Sequence, residues 1–164
     1  MNPARSAFLE AATSVARLLA EPAVAAAWER PSALAKLSVS GLAGHLLNQI
    51  VVPGELLRSG AHPAALDPLR ARLAGEPADR IVHLPWRSWS LTLDDLLLTR
   101  IIELAVHSDD LAVSVDIATP ALPAHVTDPV LQTLVLVAAR RHGTVALLRA
   151  LSRAERAPAT VTAF

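Results

Sequence analysis

The chain has 164 residues, which is the size of one ordinary domain and is enough to bury a hydrophobic core. It is 52% hydrophobic and only 3% aromatic, and its apolar side chains come mostly from Ala and Leu, which favour helices. The formal net charge is zero, which argues against a nucleic-acid or anionic-membrane surface, where a basic excess is expected. Cysteine is absent, so disulfides, zinc–thiolate sites and a protein thiol nucleophile are excluded.

The N-terminal segment does not resemble a signal peptide, because Glu10, Arg17 and Glu21 interrupt its apolar stretch. A membrane span would need a run of about 18 apolar residues, and the sequence has none. Lys36 is the one lysine among the basic residues, and we interpret this arginine bias as that of a GC-rich bacterial gene. We therefore expect a cytoplasmic bacterial protein that binds a small-molecule substrate, with neither nucleic acid nor a membrane as partner. A small Leu-rich protein of this kind could also form a homodimer.

The first third of the chain predicts two helices. Apolar side chains recur at helical spacing over residues 2–28, where Pro22 is expected to end or kink the helix. A second apolar stripe predicts a helix over residues 38–59 with Ser38 as its N-cap. Pro53 is expected to kink this second helix or to end it early.

A long connection follows over residues 60–90, where Pro, Gly and charged residues are frequent. Residues 62–73 could form a short helix, and residues 81–89 are expected to be irregular, with Trp86 and Trp89 as packing anchors. A connection of this length inside a compact domain is often functional or covers a site.

The remaining sequence predicts two more helices. The third spans residues 93–115, with Thr92 as a capping residue that is followed by acidic side chains in the first turn. The fourth follows Asp128 and Pro129, an N-cap and a proline at the first helical position, and runs to about Arg153.

Four helices with one long crossover between the second and the third are typical of a four-helix bundle. We find no internal repeat, no low-complexity tract and no sign of a second domain in the sequence. The fold class predicted is therefore all-α, with residues 1–164 forming a single domain.

The spacing of three polar residues predicts a metal site. Glu103 and His107 lie four residues apart on the third predicted helix, so their side chains share one face. If the helix that carries His45 packs antiparallel to this one, two imidazoles and a carboxylate converge on one divalent cation. Three protein ligands leave a coordination position open for water or substrate, as a catalytic site requires.

The same helix allows a second interpretation. Its polar residues form one stripe at spacings of three and four: Arg100, Glu103, His107, Asp110 and Ser114. Such a stripe is also what the solvent face of an amphipathic helix looks like, although a second polar edge (Thr99, Ser108, Asp109) could face water instead.

Two residues of the stripe are candidates for supporting roles. Asp110 lies one turn from His107 and could orient its imidazole, or it could be a solvated carboxylate. Arg100 could bind a substrate carboxylate or pair with Glu103.

Two glycines precede His45, at Gly41 and Gly44. Each costs a helix about 1 kcal/mol relative to alanine. We interpret them as a sign that another helix or a ligand approaches closely near His45.

The segments GLAGHL (41–46) and ELAVHSDDLA (103–112) resemble the metal-binding domain of mycothiol-dependent maleylpyruvate isomerases. That domain belongs to the DinB-like (YfiT-like) superfamily of four-helix bundles, and the likeness spans about residues 5–153. It implies a divalent metal, usually zinc, held by His45, Glu103 and His107, and a low-molecular-weight thiol such as mycothiol as cosubstrate. Family members often carry Trp just before the second helix, where this chain has Leu37.

These observations lead to one hypothesis and two rivals. The hypothesis is a thiol-dependent transferase or isomerase in which the metal lowers the pKa of a bound thiol. The first rival is a non-catalytic bundle that binds a ligand or partner and keeps any metal for structure. The second rival is a homologue without metal, in which the polar stripe faces water.

Overall fold

The structure is a computed structural model that describes residues 2–56, 66–77 and 79–164. Helices dominate these residues, which confirms the predicted helical class, and two short strands form a small sheet. The elements are α1 (Pro3–Leu19), α2 (Pro22–Ala26), α3 (Val39–Leu56), α4 (Leu66–Gly75), β1 (Ile81–His83), β2 (Ser90–Thr92), α5 (Leu93–Ser114), α6 (Ala124–His142), α7 (Thr144–Ser152) and a 3-10 turn (Ala154–Arg156). No helix within the described ranges is both long and apolar enough to cross a lipid bilayer.

The described residues form two compact units, one that ends at Val126 and one that begins at Thr127. The first unit contains α1 to α5 and both strands, and the second contains most of α6 together with α7 and the C-terminal tail. The single domain expected from the sequence stays a prediction.

Helix α5 is the centre of the first unit, because it packs against both α1 and α3. Leu97, Leu104 and Leu111 recur at seven-residue spacing along α5 and are fully buried. The largest fully buried side chains belong to this unit: Phe8, Leu9, Val15, Leu42, Leu46, Leu73, Leu93, Leu96, Leu97, Ile101, Leu104 and Leu111. This core fixes α3 beside α5.

The predicted third helix is confirmed nearly to the residue by α5. The Thr92 hydroxyl oxygen accepts a hydrogen bond from the backbone N–H of Asp95 at 3.1 Å, and the hydroxyl donates to the Asp95 carboxylate at 2.7 Å. The cap satisfies an N–H that has no partner inside the helix, and Asp94 and Asp95 lie at its positive end.

The N-terminal helices also follow the sequence signals. The predicted first helix ends at Leu19, shortly before Pro22, and Pro22 is the first residue of a new helix, α2. The Ser38 hydroxyl caps α3 by accepting a hydrogen bond from the N–H three residues on, at 3.1 Å. Pro53 does not end α3, which continues to Leu56, and the predicted residues 57–59 lie outside the described part of the chain.

The connection between α3 and α5 is more regular than predicted. The expectation of an irregular segment over 81–89 is wrong at its start, because Ile81 pairs with Thr92 and His83 pairs with Ser90 in an antiparallel sheet. Strands of three residues are too short to give a readable alternation of apolar and polar side chains.

The predicted packing anchors of this connection are wrong as well. Trp86 and Trp89 are 57% and 49% exposed, and the buried side chains are those of Val82 and Leu84. The predicted short helix appears as α4, although residues 62–65 of the prediction lie outside the described residues.

The predicted fourth helix differs at its start and in its middle. It begins at Ala124, so Pro129 lies inside α6 and not at its first position. A proline this close to a helix start removes one backbone N–H without preventing the helix, which makes it a poor marker of the first residue. Gly143 then separates α6 from α7 with a φ of 88°, a conformation that side chains disfavour, so the helix predicted to run to Arg153 is two helices.

A buried arginine ties three parts of the first unit together. Arg5 on α1 is 4% exposed and donates its Nε hydrogen to the Asp94 carboxylate at 3.1 Å. Its Nη1 donates to the carbonyls of Leu73 and Glu76 at 2.7 and 2.8 Å, and its Nη2 donates to that of Pro77 at 2.8 Å. These groups, termed the Arg5 cluster, fix the end of α4 against the start of α5.

Candidate metal centre

The three predicted ligands lie together between α3 and α5. The Nε2 atom of His45 is 3.0 Å from Oε2 of Glu103, and Nε2 of His107 is 3.4 Å from the same oxygen. One ligand atom from each side chain lies within 4.8 Å of the other two. The two imidazole rings meet edge to face, with centroids 4.8 Å apart and an interplanar angle of 87°.

Local helix geometry explains this convergence. Glu103 and His107 are one turn apart on α5, so the helical repeat places them on one face. On α3, the fully buried Leu42 and Leu46 seat the helix against the core. His45 directly precedes Leu46 in the chain, and its imidazole projects to the margin of that contact, where Glu103 lies within hydrogen-bonding distance.

The cluster is open to solvent on one side. The exposed fractions of the side chains are 37% for His45, 35% for Glu103 and 21% for His107. The three side chains are therefore accessible to solvent.

The two imidazoles strongly favour the ionised form of the carboxyl group between them. The pKa of Glu103 is lowered to about 2, chiefly by the hydrogen bond with His107 and further by that with His45, against the opposing effect of burial. Glu103 is therefore a carboxylate throughout the physiological pH range.

Asp110 contacts the far side of the His107 ring. Its Oδ2 lies 2.8 Å from Nδ1 of His107, so the imidazole lies between two carboxyl groups. The pKa of His107 is raised, first by the hydrogen bond with Glu103 and then by that with Asp110, while burial opposes the shift. When Nδ1–H donates to Asp110, the lone pair of Nε2 points at the centre of the cluster.

Of the two roles that the sequence left open for Arg100, the ion pair with Glu103 is not formed, and binding of a substrate carboxylate stays a prediction. Among the described residues, no carboxylate lies within ion-pair distance of its guanidinium, and Glu103 acts on it only at longer range. Its Nε donates to the Thr99 hydroxyl at 3.2 Å, and its Nη1 donates to Oε1 of Gln49 at 2.5 Å. Burial lowers the pKa of Arg100, and Glu103 opposes that shift.

Gln49 is a residue of this site that the sequence analysis did not single out. It is 3% exposed, and its Nε2 lies 3.2 Å from both the carbonyl oxygen and the Nε2 atom of His45. Its position four residues after His45 places both side chains on one face of α3, which is the signal that could have identified it.

The polar stripe of α5 does not simply face water. Four of its members are half-buried, and Ser114 is buried, where it donates to the Asp110 carbonyl at 2.5 Å and accepts from the Ala33 N–H at 2.8 Å. On the second polar edge Asp109 is exposed, but Ser108 is buried and donates to the carbonyl one turn back.

The interpretation of the glycines as sites of close helix approach is wrong. A Cβ added to Gly44 would meet no atom within 4 Å among the described residues. At Gly41 it would meet Leu37 and Ser38 at 3.4 Å, which belong to the turn leading into α3 and not to another helix. Gly44 instead leaves open space next to His45 in the chain.

No family model, curated protein or solved structure matches this chain. The likeness to DinB-like bundles therefore stays a prediction, and the case for a metal site depends on the geometry of the three side chains.

Proposed function

We propose that this chain is a divalent-metal-dependent enzyme in which His45, Glu103 and His107 hold the metal, with zinc as the preferred ion. The observation that carries the proposal is the convergence of three ligand atoms from two helices on one point. Two imidazole nitrogens and one carboxylate oxygen are a donor set that catalytic zinc sites use.

The spacing of the ligand atoms supports this assignment. A tetrahedral zinc site with bonds of about 2.0–2.1 Å separates neighbouring ligand atoms by about 3.3 Å. The distances of 3.0 and 3.4 Å from Glu103 to the two imidazoles are close to that value. All three ligand atoms lie within 4.8 Å of one another, so the two imidazole nitrogens would move closer together as an ion binds.

The openness of the cluster supports a catalytic over a structural role. Structural zinc sites have four protein ligands and are closed, whereas catalytic sites keep a position for water or substrate. Within the described parts of the chain, no fourth carboxylate or imidazole joins the three candidates. Each of the three side chains is also partly exposed.

We propose further that the reaction uses a small thiol, as a transferase or isomerase of the mycothiol-dependent type on a DinB-like four-helix bundle in a bacterial cytoplasm. A bound divalent metal would lower the pKa of such a thiol toward neutral pH. The chain has no cysteine, so the sulfur would come from the cosubstrate. The sequence resemblance supports this finer assignment.

The tautomer of His107 and the charge of Glu103 would both favour metal binding. Asp110 accepts the Nδ1 hydrogen of His107 and so holds the tautomer that directs Nε2 into the site. Glu103 remains ionised and supplies the negative charge that a divalent cation requires.

Metal titration of untagged protein tests the site. We expect the wild type to bind one equivalent of Zn²⁺ or Co²⁺ in calorimetry, and we expect His45→Ala to lose this binding. His125→Ala is the matched control, because His125 pairs with Glu10 in a solvent-exposed contact outside the cluster. Full metal occupancy in His45→Ala would remove the assignment.

A thiol-conjugation assay tests the enzyme class. We expect conjugation of mycothiol to a chromogenic electrophile to stop when a chelator removes the metal and to return when Zn²⁺ is restored. Tight metal binding without any chelator-sensitive turnover, and without an exchangeable ligand, would favour the non-catalytic rival.

A further inference from the structure

The half-buried guanidinium of Arg100, close to the proposed metal, has N–H donors that form no hydrogen bond with the described residues. Its two hydrogen-bond partners, the Thr99 hydroxyl and the Gln49 amide oxygen, are both neutral. Arginine has five N–H donors in a planar fork, and these contacts use two of them. A positive charge partly removed from water, without a carboxylate partner among the described residues, favours an anionic ligand.

Gln49 fixes the guanidinium in place. Because arginine can only donate, the Gln49 amide must turn its oxygen to Arg100 and its nitrogen to His45. Gln49 is almost fully buried, and its nitrogen is anchored on the His45 carbonyl at 3.2 Å. The guanidinium therefore has a fixed support on the opposite helix, which lowers the entropy cost of using it for recognition.

The separation between Arg100 and the proposed ligands fits a small bifunctional molecule. One amide group, that of Gln49, lies between the guanidinium and Nε2 of His45. On α5, Arg100 lies three residues before Glu103, so both side chains share one helix face. A carboxylate separated by a few bonds from a metal-binding group can reach both positions.

We propose that Arg100 is a specificity-determining residue that binds a carboxylate of the ligand held at the metal, and that Gln49 is its positioning residue. This inference rests on the proposed function. It narrows the substrate class to thiols or electrophiles that carry a carboxylate close to the reacting group.

Two thiol probes of equal chain length, one anionic and one neutral, test the inference on Co²⁺-loaded protein. The probes are 3-mercaptopropionate and the neutral 3-mercaptopropan-1-ol, and the thiolate-to-cobalt charge-transfer absorption reports their Kd values. We expect the wild type to prefer the carboxylate probe, and we expect Arg100→Gln to reduce this preference by about 10- to 100-fold. Arg100→Lys should restore part of it, since the charge remains while the planar fork is lost.

Gln49→Leu tests the positioning role. It keeps the Arg100 charge and removes its support, so we expect the preference, which is the ratio of the two Kd values, to fall by about 3- to 10-fold. Arg140→Gln, an exposed arginine on α6, is the control for the loss of one positive charge and should leave the preference unaltered.

The outcomes separate this inference from the proposed function. An Arg100→Gln variant that binds Co²⁺ as the wild type does and keeps the full carboxylate preference would overturn the inference alone. A wild type that binds no Co²⁺ would overturn the metal assignment and the inference together. Circular dichroism melts of each variant identify any loss of folding.

Discussion

Two polar clusters join α5 to its neighbours, and they differ in how completely their charges are satisfied. In the Arg5 cluster, near the start of α5, a guanidinium 4% exposed makes four hydrogen bonds of 2.7–3.1 Å to one carboxylate and three carbonyls. In the candidate metal centre, about two and a half turns further along α5, two imidazoles share one carboxylate oxygen, and all three side chains remain partly exposed.

The difference separates a structural cluster from a ligand site. A buried charge must have its hydrogen bonds fulfilled within the protein, because water cannot reach it. The Arg5 cluster meets this requirement with four hydrogen bonds within the protein. The metal centre directs several ligand atoms at one accessible point, which is an arrangement that a bound cation would complete.

The largest expected effect on stability comes from breaking the Arg5 cluster. Arg5→Met leaves three backbone carbonyls without their guanidinium partner and leaves the Asp94 carboxylate with the hydrogen bond from Asn2, so we expect the free energy of unfolding to fall by about 3–5 kcal/mol in urea titrations. Arg17→Met, an exposed arginine on the same helix, should change it by less than about 0.5 kcal/mol. Equal effects of the two substitutions would show that the Arg5 cluster is not the structural support proposed.

Breaking the candidate metal centre should reduce metal affinity more than it reduces the stability of the fold. We expect Glu103→Ala to weaken Zn²⁺ affinity by more than about 100-fold, since loss of a supporting residue alone costs 10- to 100-fold. The apo protein should lose less than about 1 kcal/mol of stability, because the contacts of Glu103 are partly exposed. Glu10→Ala, which removes an exposed carboxylate on α1, is the control for both measurements. A destabilisation as large as that of Arg5→Met would contradict the comparison.

The two clusters also differ in how far the sequence predicts them. The metal centre follows from local rules: a four-residue spacing on the well-capped α5, and one histidine on another helix. Its antiparallel partner helix was assumed from the fold class, and the structure brings the three residues together. Gln49 also obeys the four-residue rule, but a glutamine beside a histidine carries no chemical signature of its own.

The Arg5 cluster has no signal in the sequence. An arginine on a helix normally indicates a solvent face, and three of its four contacts are to backbone carbonyls, whose positions depend on how the connection after α4 folds. The same non-local cause explains the missed strand pairing of Ile81 with Thr92. The division of the last helix at Gly143 was a local signal that the sequence analysis did not use.

A smaller effect is expected from the residue that supports His107. Asp110→Asn keeps the shape of the side chain but removes the charge that orients the imidazole, so we expect Zn²⁺ affinity to fall by about 10- to 100-fold. Asp109→Asn, the neighbouring exposed carboxylate, which accepts a hydrogen bond from Thr119, should leave the affinity unchanged. If both variants bind Zn²⁺ equally well, Asp110 does not orient the His107 imidazole for metal binding and is only a solvated carboxylate.

The smallest expected effect is the pH dependence of apo-protein stability, which has one sign below about pH 4.5 and the opposite sign above about pH 6.5. Glu103 has a pKa lowered from 4.5 to about 2, so its contribution is present above pH 4.5 and is lost as the pH falls toward about 2. His107 has a pKa raised above 6.5, so its contribution is present below pH 6.5 and is lost as the pH rises through the raised value. The stabilisation by this pair should therefore be greatest between about pH 4.5 and 6.5. Chemical denaturation from pH 2 to 8 should show this greater stability between pH 4.5 and 6.5 in the wild type and not in Glu103→Gln, in which a neutral amide replaces the carboxylate. If the free energies of unfolding of the two proteins differ by a constant amount from pH 2 to 8, the imidazole–carboxylate contacts do not contribute to folding. The candidate metal centre would then differ from the Arg5 cluster in its effect on stability even more than its exposure suggests.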